Sequence, residues 1–190
     1  KTIKMIKYEN IYIISGPSGV GKDSVIKKLS EKFHNINTIT TVTTRKIREN
    51  EKNNVDYIFV SEKQFETLIS ENKLIEWSEV YGNFYGVPKN QIEESLQKDI
   101  KVIIKTDIQG VEKLKTKLKN AVTIFIMPPN IDILLKRLKS RKTDSSLEIK
   151  KRTNKAQEEM NEHKKFDYTI INHEGELEST LSSLAKILEL

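Results

Sequence analysis

Ile11-Tyr12-Ile13-Ile14-Ser15-Gly16-Pro17-Ser18-Gly19-Val20-Gly21-Lys22-Asp23-Ser24-Val25-Ile26 is the stretch from which the fold can be read. An apolar, β-branched run enters a glycine-rich turn and a helix-period segment leaves it, the setting that a phosphate-binding loop requires. Glycines let successive backbone N–H groups face inward, the new helix aims its positive end at the same point, and Lys22 adds a mobile ammonium. Residues 16–22 therefore suit a di- or triphosphate. The alternative, a glycine-rich turn with no ligand, is disfavoured by the unbroken order of strand, loop, lysine and helix. One position departs from the motif: a hydroxyl able to hold Mg²⁺ should follow the lysine, but Asp23 stands there and Ser24 comes one residue late.

Outward from this loop, 190 residues allow one compact domain with a full core and small inserted lobes. A hydrophobic content of 36% beside 32% charged residues describes a globular chain, and no apolar run reaches the length of a membrane span. No cysteine is present, which excludes disulfides, thiolate metal sites and cysteine nucleophiles and agrees with a reducing compartment. A cytoplasmic location is expected, with a trimmed targeting segment left open because the first residue is Lys1. The net charge of +6 favours anionic ligands. Among 33 Lys and Arg residues the arginines are Arg45, Arg48, Arg137, Arg141 and Arg152, all in two short segments. In so lysine-biased a chain, arginine points to places that need a planar, five-donor fork. No nucleic-acid-binding motif is apparent, so no nucleic-acid partner is expected.

Periodicity predicts a helix over residues 24–33, strands over 38–44 and 56–60, and a helix over 62–72 behind a Ser61/Gln64 capping box. A strand over 74–81 should turn tightly at Gly82-Asn83, and Pro88 should open a helix covering Ile92 and Leu96. Strands over 101–106, 121–127 and 168–172 alternate with helices over 108–118, 131–139 and 177–190, which implies a parallel sheet with right-handed crossovers. A long helix should begin behind a Ser145/Glu148 capping box and run to about residue 163. The expected organisation is a single α/β domain: core 1–37, 88–130 and 156–190, a β-rich lobe 38–87 and a helical arm 131–155.

Thr43-Thr44-Arg45-Lys46-Ile47-Arg48, Asp56-Tyr57-Ile58-Phe59-Val60, Ile75-Glu76-Trp77, Gly82-Asn83-Phe84-Tyr85-Gly86 and Asp107-Ile108-Gln109-Gly110 follow the order and spacing of the guanylate kinases, which the chain resembles over nearly its whole length. The resemblance implies a P-loop NTPase core with a parallel sheet, a GMP-binding lobe and a lid, and transfer of the γ-phosphoryl group of ATP to GMP with Mg²⁺. It implies that Arg45, Arg48, Tyr57 and Tyr85 hold the GMP phosphate, and that Glu76, Asp107 and Thr41 receive guanine. A dianion suits an arginine fork, and guanine's adjacent N1–H and N2–H₂ donors suit a carboxylate. Gly16 through Ser24 would hold ATP, with Arg137 and Asn172 near adenine. Lys22, Arg45, Arg141 and Arg152 would serve catalysis, the last two from the lid. A monomer or weak dimer is expected.

Other readings compete with this one. Tyr57, Trp77 and Tyr85 could be ordinary strand packing, the reading preferred for Trp77, and charged helices are usually just solvated. Scaffold proteins carry inactive guanylate-kinase-like modules, but these typically lack a working phosphate loop. A kinase for another nucleotide is a third reading. Where the family has Ser or Thr near guanine this chain has Val87, and Lys105 replaces the first carboxylate of an Asp-x-Asp pair. With Asp23 on the loop and Lys105 on the strand, the usual charges are exchanged. The two residues are expected to pair, leaving Mg²⁺ to ATP oxygens, waters and the Ser24 hydroxyl.

Overall fold

The structure, a computed structural model, describes residues 9–139 and 146–190, with side chains omitted over 139 and 146–153. In chain order its elements are β1 (Ile11–Ser15), α1 (Lys22–Lys32), β2 (Ile36–Thr38), β3 (Val42–Thr43), β4 (Ile58–Phe59), α2 (Glu62–Ser70), β5 (Leu74–Val80), β6 (Asn83–Pro88) and α3 (Lys89–Gln97). There follow β7 (Lys101–Lys105), α4 (Ile108–Lys117), β8 (Val122–Met127), α5 (Ile131–Lys139), α6 (Ser146–Asn161), a 3₁₀ turn (Glu162–Lys165), β9 (Tyr168–Ile171) and α7 (Leu177–Leu188).

Two sheets organise the described residues, a five-stranded one in the order β2-β7-β1-β8-β9 and a four-stranded one in the order β4-β3-β6-β5. Every pairing in the first is parallel. All five residues of β1 are buried because both faces of this sheet are covered. Tyr12 and Ile14 pack with Leu29, Ile124, Ile126, Leu134 and Leu184 on one side. Ile11 and Ile13 pack with Ile92, Val102, Ile104 and Leu114 on the other, as the two-residue strand period demands. The small sheet has its own nucleus, Val42, Phe65 and Leu74. Because β1 sits between β7 and β8, its carboxyl end opens into the crevice where parallel α/β sheets receive ligands.

Several expectations change at this level. The β-branched run 38–44 is not one strand: it ends β2 in the core sheet and begins β3 in the small one. Ile39 still donates to Ile103 O at 2.8 Å, and then the Gln91 side chain takes over the backbone of Thr40. Gln91 accepts from Thr40 N at 2.8 Å and donates to Thr40 O at 3.3 Å. A side-chain amide thus replaces the ladder where the chain changes sheets. The strand over 56–60 shrinks to Ile58–Phe59, paired in parallel with β3. The hairpin turn is Tyr81-Gly82 rather than Gly82-Asn83, since Val80 pairs with Asn83. Both turn residues have positive φ, 52° and 76°, as a two-residue turn matched to strand twist requires. Trp77 is 41% exposed, its ring edge-on to Phe84 and capped by Lys113, so its packing is on the outer face of the lobe. The Ser61/Gln64 capping box is present; the Ser145/Glu148 box lies outside the described residues.

Candidate active site

The phosphate-binding loop is shaped by backbone that only glycine adopts comfortably. Gly16 has φ +146°, and a Cβ there would lie 2.1 Å from the carbonyl oxygen of Ile126 on β8. Gly21, at φ +98°, caps α1 directly, so the helix starts at Lys22, two residues earlier than periodicity suggests. Lys22 Nζ donates to the carbonyls of Gly16 at 2.6 Å and Pro17 at 3.0 Å, which curls the ammonium back over the loop. The middle of the loop is propped from behind. Val20 is wholly buried, and its carbonyl accepts from Asn172 Nδ2 at 2.8 Å and Arg137 Nη1 at 3.1 Å. Asn172 Oδ1 in turn accepts from the Thr180 hydroxyl at 3.2 Å. Both residues expected near adenine therefore brace the loop.

Across the cleft, the small lobe presents a cationic and phenolic wall. The Arg45 guanidinium lies 5.3 Å from the Tyr57 ring and 5.6 Å from Phe59, and Tyr57 meets Tyr85 edge-on at 6.1 Å. Glu51, which the sequence reading missed, organises the two arginines. Its Oε1 accepts from Arg45 Nη2 at 2.7 Å and lies 4.0 Å from Arg48 Nη1, and its Oε2 accepts from Arg48 N at 2.9 Å. Burial would raise the Glu51 carboxyl, but hydrogen bonds from Arg45 and the Arg48 amide outweigh it and hold its pKa below the usual carboxylate range. The same pairing keeps Arg45 above its ordinary value despite burial. A carboxylate three residues from Arg48 was the available signal.

At the base of the lobe, Glu76 on β5 is 3% exposed, and its Oε1 has no hydrogen-bond partner among the described residues. The nearest cation, Lys113 Nζ, is 3.8 Å away. Burial first, then the negative charge of Asp107, push its pKa up to about 7 against the pull of Lys113 and Lys117. Asp107 caps α4 through Gly110 N at 2.8 Å and accepts from the Ser78 hydroxyl at 3.1 Å. Thr41 is 5% exposed and donates to the Lys105 carbonyl at 3.3 Å. Ser78, 1% exposed between the two carboxylates, went unnoticed because a serine in a strand carries no motif. Val87 is 1% exposed and packs with Ile39 and Ile75, so it adds no polar group to this pocket.

Between the walls lies the pair formed by Asp23 and Lys105, with Lys105 Nζ donating to Asp23 Oδ1 at 2.5 Å. The ammonium also sits 4.2 Å above the Tyr57 ring. Burial would depress this lysine, but Tyr57 and Asp23 more than compensate and hold it above the ordinary lysine value. Tyr57 is itself raised, by burial and the Asp23 charge, against the pull of Lys105.

One cleft is lined by Gly16, Ser18, Gly19, Gly21, Lys22, Asp23 and Ser24 on the loop side and by Thr41, Arg45, Arg48, Tyr57, Tyr85, Lys105 and Asp107 opposite. Tyr81 and Glu159 close its end, neither singled out in advance. Glu159 Oε2 accepts from Ser18 N at 3.1 Å and its Oε1 from the Tyr81 hydroxyl at 3.3 Å, so a carboxylate already rests against a loop amide. Glu76 lies outside this lining, along a separate groove with Trp77 and Lys113. The expected lid residues Arg141 and the side chain of Arg152 fall outside the described residues.

A loop built for polyphosphate at the end of a parallel sheet, facing an arginine-tyrosine wall on a separate lobe, defines a phosphotransferase that brings two phosphorylated substrates into one cleft. The family model for guanylate kinase matches residues 8–190, and the chain belongs to the guanylate kinase family. A guanylate kinase of Rickettsia prowazekii is 38% identical over 186 residues, covering 96% of this chain and 93% of the relative. One of Legionella pneumophila is 40% identical over 167 residues, covering 88% and 80%. Among solved structures, guanylate kinase from Anaplasma phagocytophilum superposes with a TM-score of 0.77 at 34% identity, covering 98% of this chain and 88% of that one. A shikimate kinase from Bacteroides thetaiotaomicron, at TM-score 0.51 and 16% identity, shares the α/β core fold.

Proposed function

We infer that the chain transfers the γ-phosphoryl group of ATP to GMP, yielding ADP and GDP. Family membership carries the reaction, and one observation carries the way this chain performs it: the phosphate loop and the arginine-tyrosine wall line the same cleft. An oxygen of the GMP phosphate attacks the γ-phosphorus as the bond to the β,γ-bridging oxygen breaks, so the enzyme's task is positioning and charge stabilisation. Gly16, Pro17, Ser18, Gly19, Val20, Gly21, Asp23 and Ser24 form the ATP phosphate cradle, and Lys22 turns from the Gly16 and Pro17 carbonyls to the β- and γ-phosphates. Arg45 and Arg48, with the Tyr57 and Tyr85 hydroxyls, clamp the GMP phosphate. Glu76 accepts from the guanine N1–H and N2–H₂ donors beside Asp107 and Thr41, and its unpartnered buried oxygen supports that role.

Arg137 and Asn172 act at the ATP side by bracing the loop through Val20, and Arg141 and Arg152 serve the transition state from a lid over 131–155. The lobe over 38–87 and the core made by the remaining segments complete this division. Mg²⁺ accompanies ATP as the family's cofactor, but the donor set at the start of α1 does not fit an ion held by a protein carboxylate, because Asp23 is already engaged by Lys105. No described helix is long and apolar enough to cross a membrane. Cytoplasmic location, a monomer or weak dimer and the lack of a nucleic-acid partner belong to this reading.

The test is ADP release in a coupled assay with ATP and a panel of nucleoside monophosphates. GMP should be used well, dGMP less well, and AMP, CMP and UMP about four to five orders of magnitude more poorly in kcat/KM, because the wrong base leaves a buried carboxylate unpaired. Equal turnover of AMP and GMP would refute the assignment.

A further inference from the structure

Resting on the kinase reading above, we propose that the Lys105–Asp23 pair replaces carboxylate coordination of the divalent ion, so that the protein alone holds no metal and the ion enters only as part of the nucleotide complex. The first ground is topological. Asp23 stands in the first turn of α1, directly after Lys22, and Lys105 ends β7 opposite Ile14 of β1, the strand that feeds the loop. The sheet register sets the end of β7 beside the strand that feeds the loop, which brings the two residues within reach of one another.

The second ground is the asymmetry of burial. The Lys105 side chain is 13% exposed and that of Asp23 is 68% exposed. The ammonium is drawn inward, against Asp23 on the loop side and over the Tyr57 ring on the clamp side. Tyr57 in turn touches Arg45 and Tyr85. A buried ammonium must be paired, and breaking such a pair is costly because it orphans the buried charge. A divalent ion on Asp23 would have to displace the Lys105 ammonium or share the carboxylate with it, and sharing would set a dication a few ångströms from a cation that is 13% exposed. Coulomb repulsion opposes that sharing.

The third ground is the surrounding donor set. Among the described residues no group of three or more His, Asp or Glu side chains is arranged to hold a metal. Besides the pair, the cleft is lined by three cations, Lys22, Arg45 and Arg48, and three carboxylates that already have partners: Glu51 with both arginines, Asp107 with Gly110 N and Ser78, and Glu159 with Ser18 N and Tyr81. Mg²⁺ retains several waters and is commonly held through nucleotide phosphates with few protein ligands, so the nucleotide suffices as its carrier.

The test follows Mn²⁺ alone, without nucleotide, by electron paramagnetic resonance on the full chain. The wild type should leave Mn²⁺ free at millimolar concentration. Lys105→Met, which withdraws the ammonium from Asp23, should bind it, and Lys105→Asp, which adds a second carboxylate, should bind it about tenfold more tightly than Lys105→Met, since affinity rises with ligand charge. Adding Asp23→Ser to Lys105→Met should abolish or sharply weaken the signal. Circular dichroism identifies which variants are folded, and Lys105→Met keeps the test open if Lys105→Asp does not fold. Two results would overturn the proposal: Mn²⁺ bound by the wild type and lost in Asp23→Ser, or folded Lys105 variants that take up no metal. Because no turnover is read, failure here is separable from failure of the kinase reading, which the monophosphate panel tests independently.

Discussion

Glu76→Gln should make the free protein more stable while damaging recognition of GMP. The carboxyl is 3% exposed with an unpartnered oxygen, and its pKa is pushed from 4.5 to about 7 by burial and by Asp107. Holding a carboxyl that far above its ordinary value means that ionising it in the folded protein costs about 3 kcal/mol, at ~1.4 kcal/mol for each pH unit. The sign follows from proton linkage. Between pH 4.5 and about 7 the folded protein binds this proton more tightly than the unfolded chain does, so stability falls as pH rises through that window. Glutamine is isosteric and neutral, so it removes the slope. At pH 8, above both pKa values, the variant should be more stable than the wild type by about 3 kcal/mol, and near pH 4 the two should converge.

Urea denaturation at pH 4, 5 and 8 measures this directly, with Trp77, the only tryptophan and the neighbour of Glu76, as the fluorescence reporter. Calorimetric titration with GMP at pH 8 should show a loss of roughly 1–3 kcal/mol, because the amide opposes one of the two guanine donors it must accept from. Wild-type affinity for GMP should also improve from pH 6 to 8 as the carboxylate forms. Parallel pH slopes in the two proteins would remove Glu76 as the buried titrating group. Unchanged GMP affinity would remove it from the base pocket.

Two further perturbations test the walls of the cleft. Gly16→Ala places a Cβ against the Ile126 carbonyl, where no side chain can rotate away, so a loss of about 2–4 kcal/mol in urea titrations is expected together with loss of ATP binding; Gly82→Ala, at positive φ in open space, should cost only about 1 kcal/mol. Glu51→Gln loosens both arginines and should weaken GMP binding and cost about 1–2 kcal/mol of stability at neutral pH; because the Glu51 pKa is lowered, this difference should begin to shrink as pH falls below about 4.5 and be lost once pH passes through the lower folded value, and a difference undiminished on acidification would deny the ion pair.

What could be read in advance was whatever depends on local spacing. The strand, the glycine loop and its lysine announce a phosphate cradle because each role is filled by neighbours in the chain, and the alternation of strands and helices carries the parallel sheet for the same reason. The family resemblance was legible too, since its motifs are short and ordered, and the comparisons agree with it. Opposite charges at positions 23 and 105 suggested a pair, but their distance could not be read from a chain that separates them by 82 positions.

Tertiary structure decided the rest, where the partner is remote or the signal is a single residue. Glu159 reaches Ser18 across 141 positions, and Asn172 reaches Val20 across 152. Neither link has a local pattern, because hydrogen bonding is short-ranged in space and indifferent to sequence separation. The break between β2 and β3 escaped a periodicity reading for a related reason. Strand propensity is the same on either side of it, and only the Gln91 amide on α3 ends the core ladder at Thr40. Sequence by itself determined the α/β class, the loop and the family. Folding determined which charges face one another across the cleft, because that depends on sheet register and on burial, which turns Lys105 into a paired interior cation and Glu76 into a carboxyl that titrates near neutrality.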